Sequence, residues 1–348
     1  MKYQRMYFVE PLKVELREET LPPPGPGQLV IKTSVSGISA GTELLFYAGL
    51  QPRNMALDAN LPSLEGSADY PISYGYALAG KIVDVGSGVD ASLQGKTAFA
   101  FHPHATHALV RVEDAVILPA GMDAEDAIFF PNTETAANLV MDGAPILGER
   151  VAVLGLGIIG LLTSAILRQF PLDTLYGIDT SEYRRRMGRE AGMDGCFADW
   201  ESALSGLGHS SKHQGAAAGS AGSADGFDAC FELSGNPAAL DAAVRLCGFG
   251  SRVCVGSWYG TKTYPINLGG DFHRNRIRLF SSQVSTLAPE LSGRWTRERR
   301  AQSAWNHIEK IRPSKWITHR IPFARCAEAY RMLHSGSEDA LQVVLSYD

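Results

Sequence analysis

The feature that most constrains the fold of this chain is an apolar run at residues 151–154 that leads directly into three spaced glycines, Gly155, Gly157 and Gly160. In a strand–turn–helix unit, the first glycine allows a tight turn, the second lets a ligand approach the backbone, and the third lets the helix pack against the strand. The uncharged segment after these glycines predicts a helix, whose free N–H groups and positive dipole end attract phosphate. The pattern predicts a site for the pyrophosphate of a dinucleotide, and a glycine-rich turn without a ligand is the alternative.

A carboxylate in the next strand-like segment bears on which dinucleotide binds. Asp179 ends a predicted strand at residues 174–178, about 20 residues beyond the glycines, where an acidic side chain accepts hydrogen bonds from the adenosine ribose. The same charge would repel a 2′-phosphate, so the sequence favours NAD over NADP. Arg184, in a run of three arginines, leaves NADP open because a guanidinium can receive that phosphate.

A change of pattern near Pro131 divides the chain into a β-rich part and a part in which strands and helices alternate. The predicted strands comprise residues 7–16, 29–35, 79–85, 97–101 and 108–112 in the first part, and residues 150–154, 174–178, 227–233, 252–256 and 276–282 in the second. A helix at residues 133–141 precedes the glycine motif. Strands separated by helices indicate a doubly wound parallel sheet, so the predicted fold class is α/β plus β.

These patterns predict three segments. A β domain comprises residues 1–131, a dinucleotide-binding domain comprises residues 132–283, and a C-terminal segment at residues 284–348 returns to the first domain. Residues 208–225 are rich in Gly, Ala and Ser and cannot bury enough apolar surface to offset their ordering entropy. We predict that they form a mobile surface insertion in the second domain.

Composition excludes several classes of partner. The net charge of −5 implies no general attraction to nucleic acid or to an anionic membrane. The five cysteines include no CxxC pair and mostly lie among apolar residues, which is typical of reduced core thiols. The first residues lack the apolar run of a signal peptide, and no segment is typical of a membrane span. We therefore expect a cytoplasmic protein that acts on a small molecule.

Two further motifs resemble a known family. Residues 75–86, GYALAGKIVDVG, and residues 37–43, GISAGTE, resemble the GHExxGxVxxVG and GICGTD segments of medium-chain dehydrogenases/reductases. The resemblance covers nearly the whole chain. It implies a GroES-like β-barrel catalytic domain, a Rossmann domain that binds NAD, and a homodimer formed through the last strand of the Rossmann sheet.

The resemblance is weakest at the family's metal ligands. The cysteine position falls near Ser39, the histidine is Tyr76, the adjacent glutamate is Ala77, and the third ligand position falls near Pro131. None of these side chains is a thiolate, imidazole or carboxylate, the usual zinc ligands. The structural zinc lobe is also missing. The sequence therefore predicts no metal site and is similar to the bacteriochlorophyllide a dehydrogenase branch, whose secondary-alcohol chemistry we carry over without its substrate.

Without zinc, another group must polarise or protonate the reacting oxygen. By resemblance, Thr42 occupies the family's proton-relay position and Glu43 is a carboxylate behind it. Tyr76 is predicted either to donate a proton or merely to fill the space of the metal. His104, in the HPHATH segment at residues 102–107, is the imidazole predicted to line the substrate cleft. For Glu134, at a helix start, capping of the helix is favoured over catalysis.

The remaining predicted cofactor contacts lie at helix starts and at the carboxyl ends of strands, where ligands bind in such sheets. They are Ile158 and Ile159 after the glycine motif, Thr135 by resemblance, and Ser234, Gly235, Gly256 and Ser257.

Three functions fit these observations. The favoured one is a zinc-independent oxidoreductase that transfers a hydride between NAD(H) and an alcohol or ketone. The second is a zinc-free reductase of activated C=C bonds that resembles quinone oxidoreductases and uses NAD(P)H. The third is a dinucleotide-binding protein without turnover.

Overall fold

The computed structural model describes residues 1–52, 57, 62–64, 66–210, 226–337 and 339–348. The chain forms two compact units. The first unit comprises residues 1–131 and 308–348, and the second unit comprises residues 132–307. The first boundary lies at the predicted position, whereas the second unit extends beyond residue 283.

The first unit is mostly β structure. Its elements are β1 (Lys2–Glu10), β2 (Lys13–Thr20), β3 (Gln28–Gly37), α1 (Ala40–Ala48), β4 (Leu78–Val85), β5 (Thr97–Ala100), β6 (His107–Arg111), β7 (Ala115–Ile117) and α2 (Ala124–Ala127), followed near the C-terminus by β14 (Ile317–Pro322), α10 (Cys326–His334) and β15 (Gln342–Ser346). A seven-stranded sheet has the order β14-β15-β3-β4-β5-β7, with β6 paired to β3, and β1 and β2 form a separate hairpin. The last two strands thus join the sheet of the first unit, as predicted.

The alternation of apolar residues in these strands produces a core on one face of the sheet. Leu29 and Ile31 of β3 pack with Leu78 and Ile82 of β4, and with Val110 of β6. Because successive side chains of a strand point to opposite faces, residues two apart share a face and bury it together.

The second unit is an α/β layer structure. Its elements are α3 (Phe130–Gly143), β8 (Arg150–Leu154), α4 (Ile158–Leu167), β9 (Thr174–Ile178), α5 (Glu182–Glu190), β10 (Gly195–Phe197), α6 (Trp200–Ser210), β11 (Phe227–Glu232), α7 (Ala238–Leu246), β12 (Cys247–Val255), α8 (Asp271–Arg274), β13 (Arg278–Ser281) and α9 (Arg297–Ile311). Six strands pair in parallel in the order β10-β9-β8-β11-β12-β13. Numbered within the sheet, this is the order 3-2-1-4-5-6 of a Rossmann fold, which confirms the predicted fold class.

Helices on both faces explain why the central strands are apolar throughout. All five residues of β9 are buried, as are four of the five residues of β8. Tyr176, Phe227 and Val253 belong to the core of this unit. A parallel sheet covered on both faces has no solvent-facing side on which polar residues would alternate.

Some sequence predictions differ from the structure. The run at residues 7–16 is a hairpin rather than one strand, because the chain turns at Leu12, whose φ is +65°. Helix α1 was not predicted. The return to the first unit begins at residue 308 instead of 284, because Arg300 is held by Glu134 and Asn138 of the second unit. Of the predicted insertion, residues 208–210 continue helix α6, and residues 211–225 lie outside the described residues.

All five cysteines are free thiols, and four of them are buried, as predicted. Within the described residues, no helix combines the length and the apolar character that a membrane span requires.

Candidate active site

The glycine motif forms the predicted strand–turn–helix unit. Gly155 follows β8 with a φ of +91°, and a Cβ at this position would lie 2.5 Å from Cα of Ser234. Gly160 lies so close to the turn that its Cβ would be 2.0 Å from the carbonyl oxygen of Gly155. Gly157 precedes α4 as its N-cap, and a Cβ there would meet no described atom within 4 Å. The two outer glycines are thus required by packing, whereas Gly157 leaves open space at the helix N-terminus.

This cradle fits a dinucleotide. The open space at Gly157 adjoins the first turn of α4, which contains Ile158 and Ile159 and whose backbone N–H groups have no partners within the helix. A phosphate at this position would meet backbone donors and the positive end of the helix dipole. Side-chain atoms are not needed for that contact.

Asp179 lies beside the glycine turn, as its position after β9 predicted. Its Oδ2 accepts a hydrogen bond from the N–H of Leu156 at 2.8 Å, and its Oδ1 accepts one from the N–H of Ser181 at 2.9 Å. These two hydrogen bonds use two of the about four acceptor positions of a carboxylate. Nη1 of Arg184 lies 3.9 Å from Oδ2 of Asp179, so this predicted contact is also near the site.

The carboxyl ends of β11 and β12 contribute a second group of polar atoms. The N–H of Gly235 donates to Oγ of Ser257 at 2.8 Å, and the N–H of Gly256 donates to the carbonyl oxygen of Glu232 at 3.0 Å. The carboxylate of Glu232 is fully buried and accepts hydrogen bonds from the N–H of Ser234 at 2.9 Å and from the hydroxyl of Tyr259. Glu232 therefore fixes the loop that packs against Gly155.

Helix α3 carries the two residues predicted near its start. Thr135 is half-buried in its second turn. Glu134 does not cap the helix, since α3 begins at Phe130. Its carboxylate instead pairs with the buried guanidinium of Arg300 at 3.2 Å. Burial raises the pKa of Glu134, and the charge of Arg300 opposes that shift. We assign Glu134 to the packing of α3 against α9.

Three hydroxyl groups meet in the first unit. The phenol of Tyr76 donates a hydrogen bond to Oγ of Ser39, and Oγ1 of Thr42 lies 3.5 Å from the phenol oxygen. We call these three residues the hydroxyl cluster. All three are half-buried, so the cluster is partly open to solvent. Ser39 is the N-cap of α1 but makes no side-chain cap hydrogen bond, which leaves its hydroxyl available to Tyr76.

Glu43 lies behind the hydroxyl cluster, as the resemblance implied. It is fully buried, and its Oε1 accepts a hydrogen bond from the N–H of Ser39 at 2.7 Å. Its Oε2 accepts hydrogen bonds from the hydroxyl of Tyr330 and from Nε2 of His104, the latter at 3.1 Å. The carboxylate therefore joins the start of α1 to α10 and to the segment between β5 and β6.

The structure corrects the predicted placement of His104. The residue has no exposed surface, and both ring nitrogens have protein partners, so it does not line an open cleft. His102 is also buried, and desolvation lowers its pKa to about 4. His107 is the most accessible of the three, with a pKa that burial also lowers.

The residues at the family's metal positions do not form a metal site of the usual chemistry. The donors brought together at Ser39 and Tyr76 are hydroxyl groups, whereas zinc in proteins is bound by thiolate, imidazole or carboxylate. Among the described residues, no group of three or more His, Cys, Asp or Glu side chains is arranged to hold a metal ion.

The sequence analysis did not identify three residues that contribute hydrogen bonds to the candidate site. Ser39 was considered only as the replacement of a metal ligand. Glu232 could have been identified from the sequence, because it is a carboxylate at the carboxyl end of a predicted strand, where ligands bind in such sheets. Tyr330 could not, since it meets Glu43 across 287 residues of sequence.

Together, the sheet unit and the Rossmann unit define a class of protein: the chain has the fold of the medium-chain alcohol dehydrogenases. One solved structure, a short chain alcohol dehydrogenase from Escherichia coli CFT073 complexed with NADH, has a TM-score of 0.73 and 18% identity, and the match covers 99% of both chains. Another, a dehydrogenase from Sinorhizobium meliloti 1021 bound to NADP, has a TM-score of 0.71 and 20% identity over 99% of both chains.

Curated relatives agree with this class. The chain is 24% identical to the zinc-type alcohol dehydrogenase-like protein YphC of Escherichia coli K12, with 93% of each chain covered. It is also 24% identical to D-guloside 3-dehydrogenase of the same strain, over 74% of this chain and 72% of that protein. No protein-family model matches the sequence.

Proposed function

We propose that this protein is a zinc-independent oxidoreductase that transfers a hydride between NAD(H) and the carbon of an alcohol or ketone. The observation that carries the proposal is the hydroxyl cluster. It brings Ser39 and Tyr76, at positions where the resemblance expects metal ligands, next to Thr42, at its proton-relay position. The names of the relatives support alcohol chemistry, because D-guloside 3-dehydrogenase and (R,R)-butanediol dehydrogenase are among them.

The second unit would hold the dinucleotide. The backbone at Gly157 and the first turn of α4 would receive the pyrophosphate, and Asp179 would accept hydrogen bonds from the adenosine ribose. Ser234, Ser257 and Thr135 would contact the remainder. When bound, a nicotinamide dinucleotide donates or accepts the hydride.

The hydroxyl cluster would handle the proton. In the reducing direction, the phenol of Tyr76 gives its proton to the carbonyl oxygen of the substrate, and in the oxidising direction it takes the proton back. In the structure the phenol donates its single proton to Oγ of Ser39. When that proton turns to the substrate, the hydroxyl of Ser39 would donate to the phenol oxygen in return and so keep it oriented. Thr42 would offer a second hydroxyl to the phenol oxygen. A positioned general acid of this kind contributes roughly 10²–10⁴-fold to the rate.

The chemistry of the donors supports zinc independence. A serine hydroxyl and a phenol are poor zinc ligands, and the third position is a proline with no side-chain donor. Relatives such as YphC are named for zinc, so this chain would depart from them in mechanism rather than in fold.

NAD is the proposed cofactor because Asp179 is a carboxylate beside the glycine turn. Structural neighbours carry NADH or NADP, so the class itself accepts either dinucleotide. The proposal is completed by a small-molecule substrate, a cytoplasmic location and no nucleic-acid or membrane partner, for which the charge balance of the chain is the support.

A substrate panel tests this function. Purified protein is incubated with secondary alcohols, diols and ketones, or with enones and quinones, and dinucleotide turnover is followed at 340 nm with NAD(H) and NADP(H). We expect turnover of at least one alcohol–ketone pair with NAD(H). Turnover of only enones or quinones would establish the C=C reductase instead. NADH binding without any turnover would favour a dinucleotide-binding protein that is not an enzyme.

A further inference from the structure

The buried histidine His104 connects both sides of the hydroxyl cluster. A Cβ on Gly75 would lie 2.6 Å from Cδ2 of His104, so the imidazole packs directly against the backbone that precedes Tyr76. Its Nε2 lies 3.1 Å from Oε2 of Glu43, and Glu43 in turn holds the N–H of Ser39. The ring therefore contacts the segment that carries Tyr76 and, through one carboxylate, the residue to which Tyr76 donates.

The hydrogen-bond partners of His104 assign a direction to this network. A carboxylate can only accept, so Nε2 of His104 donates to Glu43. In the neutral imidazole, Nδ1 then accepts from the hydroxyl of Ser36 at 2.6 Å, and Oγ of Ser36 lies 2.8 Å from the hydroxyl of Tyr347. Because the hydrogen of the Ser36 hydroxyl points to the imidazole, the hydroxyl of Tyr347 donates a hydrogen bond to Oγ of Ser36. Burial raises the pKa of Tyr347.

The carboxylate of Glu43 depends on its donors. It has no exposed surface and receives three hydrogen bonds, from Ser39, Tyr330 and His104. A buried carboxylate is tolerated only when such donors satisfy it, and the loss of one leaves it free to reorient. Reorientation would release the N–H of Ser39 and, with it, the hydroxyl that orients Tyr76.

We propose that His104 is a positioning residue, which fixes the hydroxyl cluster by holding Glu43 against the start of α1. It does not touch the substrate. Its expected effect on kcat rests on the proposed function, whereas its expected effect on the hydrogen bond between Ser39 and Glu43 does not.

Two variants of His104 separate the donor from the bulk of the ring. The amide nitrogen of a glutamine, Nε2, can replace Nε2 of His104 as the hydrogen-bond donor to Glu43. The side chain of an asparagine is shorter and reaches only Ser36, the partner of Nδ1. We expect His104→Asn to lower kcat by about 10- to 100-fold, since small misplacements of reacting groups have effects of this size. His104→Gln should remain within about threefold of wild type. NADH affinity should be unchanged in both, because the proposed dinucleotide contacts belong to the second unit.

Hydrogen exchange provides a readout that needs no substrate. The amide of Ser39 should exchange about tenfold faster in His104→Asn than in wild type or His104→Gln. His102→Asn is the matched control, because His102 is a buried histidine of the same segment between β5 and β6, but its Nδ1 bonds to the carbonyl of Pro103 rather than to Glu43. If His104→Asn does not fold, Tyr330→Phe removes another donor from the same carboxylate oxygen with little change in volume, and it should speed the same amide.

The outcomes are distinguishable. The positioning role would be overturned if the Ser39 amide exchanged at the same rate in His104→Asn and His104→Gln. It would also be overturned if His102→Asn accelerated this exchange as much as His104→Asn does. If wild type turns over no substrate while the Ser39 amide still exchanges faster in His104→Asn than in His104→Gln, the proposed function fails and the positioning role of His104 stands.

Discussion

Among single residues, Tyr76 is one whose role the amino-acid sequence leaves open between two interpretations. A tyrosine at a metal-ligand position either fills space or supplies a proton. In the structure its hydroxyl is bonded to Ser39 and adjoins Thr42, so it is a polar group in a polar, partly open environment. A residue that only filled space would bury its ring and need no second hydroxyl beside its own.

Removal of the phenol hydroxyl tests the role of Tyr76. Tyr76→Phe should lower kcat by about 10²–10⁴-fold, the usual contribution of a general acid. Thr42→Val should have the smaller effect of the two, because the hydroxyl of Thr42, 3.5 Å from the phenol oxygen, is proposed as a second hydroxyl and not as the proton source. Steady-state kinetics and NADH titration measure both. Tyr7→Phe is the control, because it makes the same chemical change at a half-buried phenol that bonds Glu19 on the β1–β2 hairpin. Retention of more than half the wild-type kcat by both variants would rule out these two hydroxyls as the donor.

The choice of dinucleotide also belongs to one residue. Wild type should bind NADH at least tenfold more tightly than NADPH, a difference of about 1.4 kcal/mol. Asp179→Ala should narrow that gap, because it removes both the ribose acceptor and the charge that repels a 2′-phosphate. Titration of protein fluorescence with each dinucleotide measures the two affinities.

A matched control lies at the other end of the same strand. Asp173 precedes β9 and is exposed, whereas Asp179 follows it beside the glycine turn. Asp173→Ala should leave the NADH preference unchanged. A wild-type preference for NADPH would contradict the cofactor assignment and strengthen the C=C reductase alternative.

At the scale of the element, the glycine turn separates packing from ligand binding. Gly155 has a positive φ and touches the backbone of Ser234, while Gly157 has neither restriction. The same substitution at these two positions therefore tests two different physical requirements.

Gly155→Ala should destabilise the protein by at least about 1 kcal/mol, because a left-handed backbone and a backbone clash both oppose a Cβ. Gly157→Ala should leave the free energy of unfolding within about 0.5 kcal/mol of wild type, yet weaken NADH binding, because the new methyl group would occupy the space where we propose that a phosphate binds. Denaturant unfolding and NADH titration of both variants measure these effects. Unchanged NADH affinity in Gly157→Ala would show that the dinucleotide does not use this turn.

At the scale of the whole molecule, strand β13 marks the surface where we propose that a second copy binds. It is one of the two edge strands of the Rossmann sheet and has exposed side chains, including Leu279. An edge strand presents unpaired N–H and C=O groups that can pair with another chain.

We predict a homodimer in sedimentation experiments at micromolar concentration. Leu279→Lys should weaken the dimer at least tenfold, because it places two charges where the edges meet. Leu147→Lys replaces a more exposed leucine of the same unit, away from β13, and should leave the dimer intact. A monomeric wild type would refute the proposed interface.

Metal content is a second property of the whole molecule. Purified protein should contain no stoichiometric zinc, and incubation with a chelator should leave its turnover unchanged, because hydroxyl groups replace the usual ligands at Ser39 and Tyr76. Elemental analysis and assays before and after chelation test this. One zinc per chain, lost together with activity, would contradict zinc independence.

Much of the Rossmann unit could be predicted from local patterns. Strands β8 and β9 have the predicted bounds, and α3 and β11 differ from their predictions only at the ends. The reason is that buried parallel strands are continuous apolar runs, and glycines and helix starts punctuate them. The first unit was less predictable. Helix α1 was missed because its start, GISAGTE, contains a central glycine and no apolar periodicity long enough to indicate a helix.

Local sequence patterns were enough to predict the fold class and the strand–turn–helix unit of the glycine motif, because both depend on residue types at short, fixed spacings. Which residues far apart in sequence form hydrogen bonds with one another became clear only from the tertiary structure. Glu43 and Tyr330 come from helices α1 and α10, and His104 reaches the same carboxylate from the segment between β5 and β6. Such contacts arise only when the sheet of the first unit assembles, because a buried carboxylate takes its hydrogen-bond donors from whichever elements pack around it.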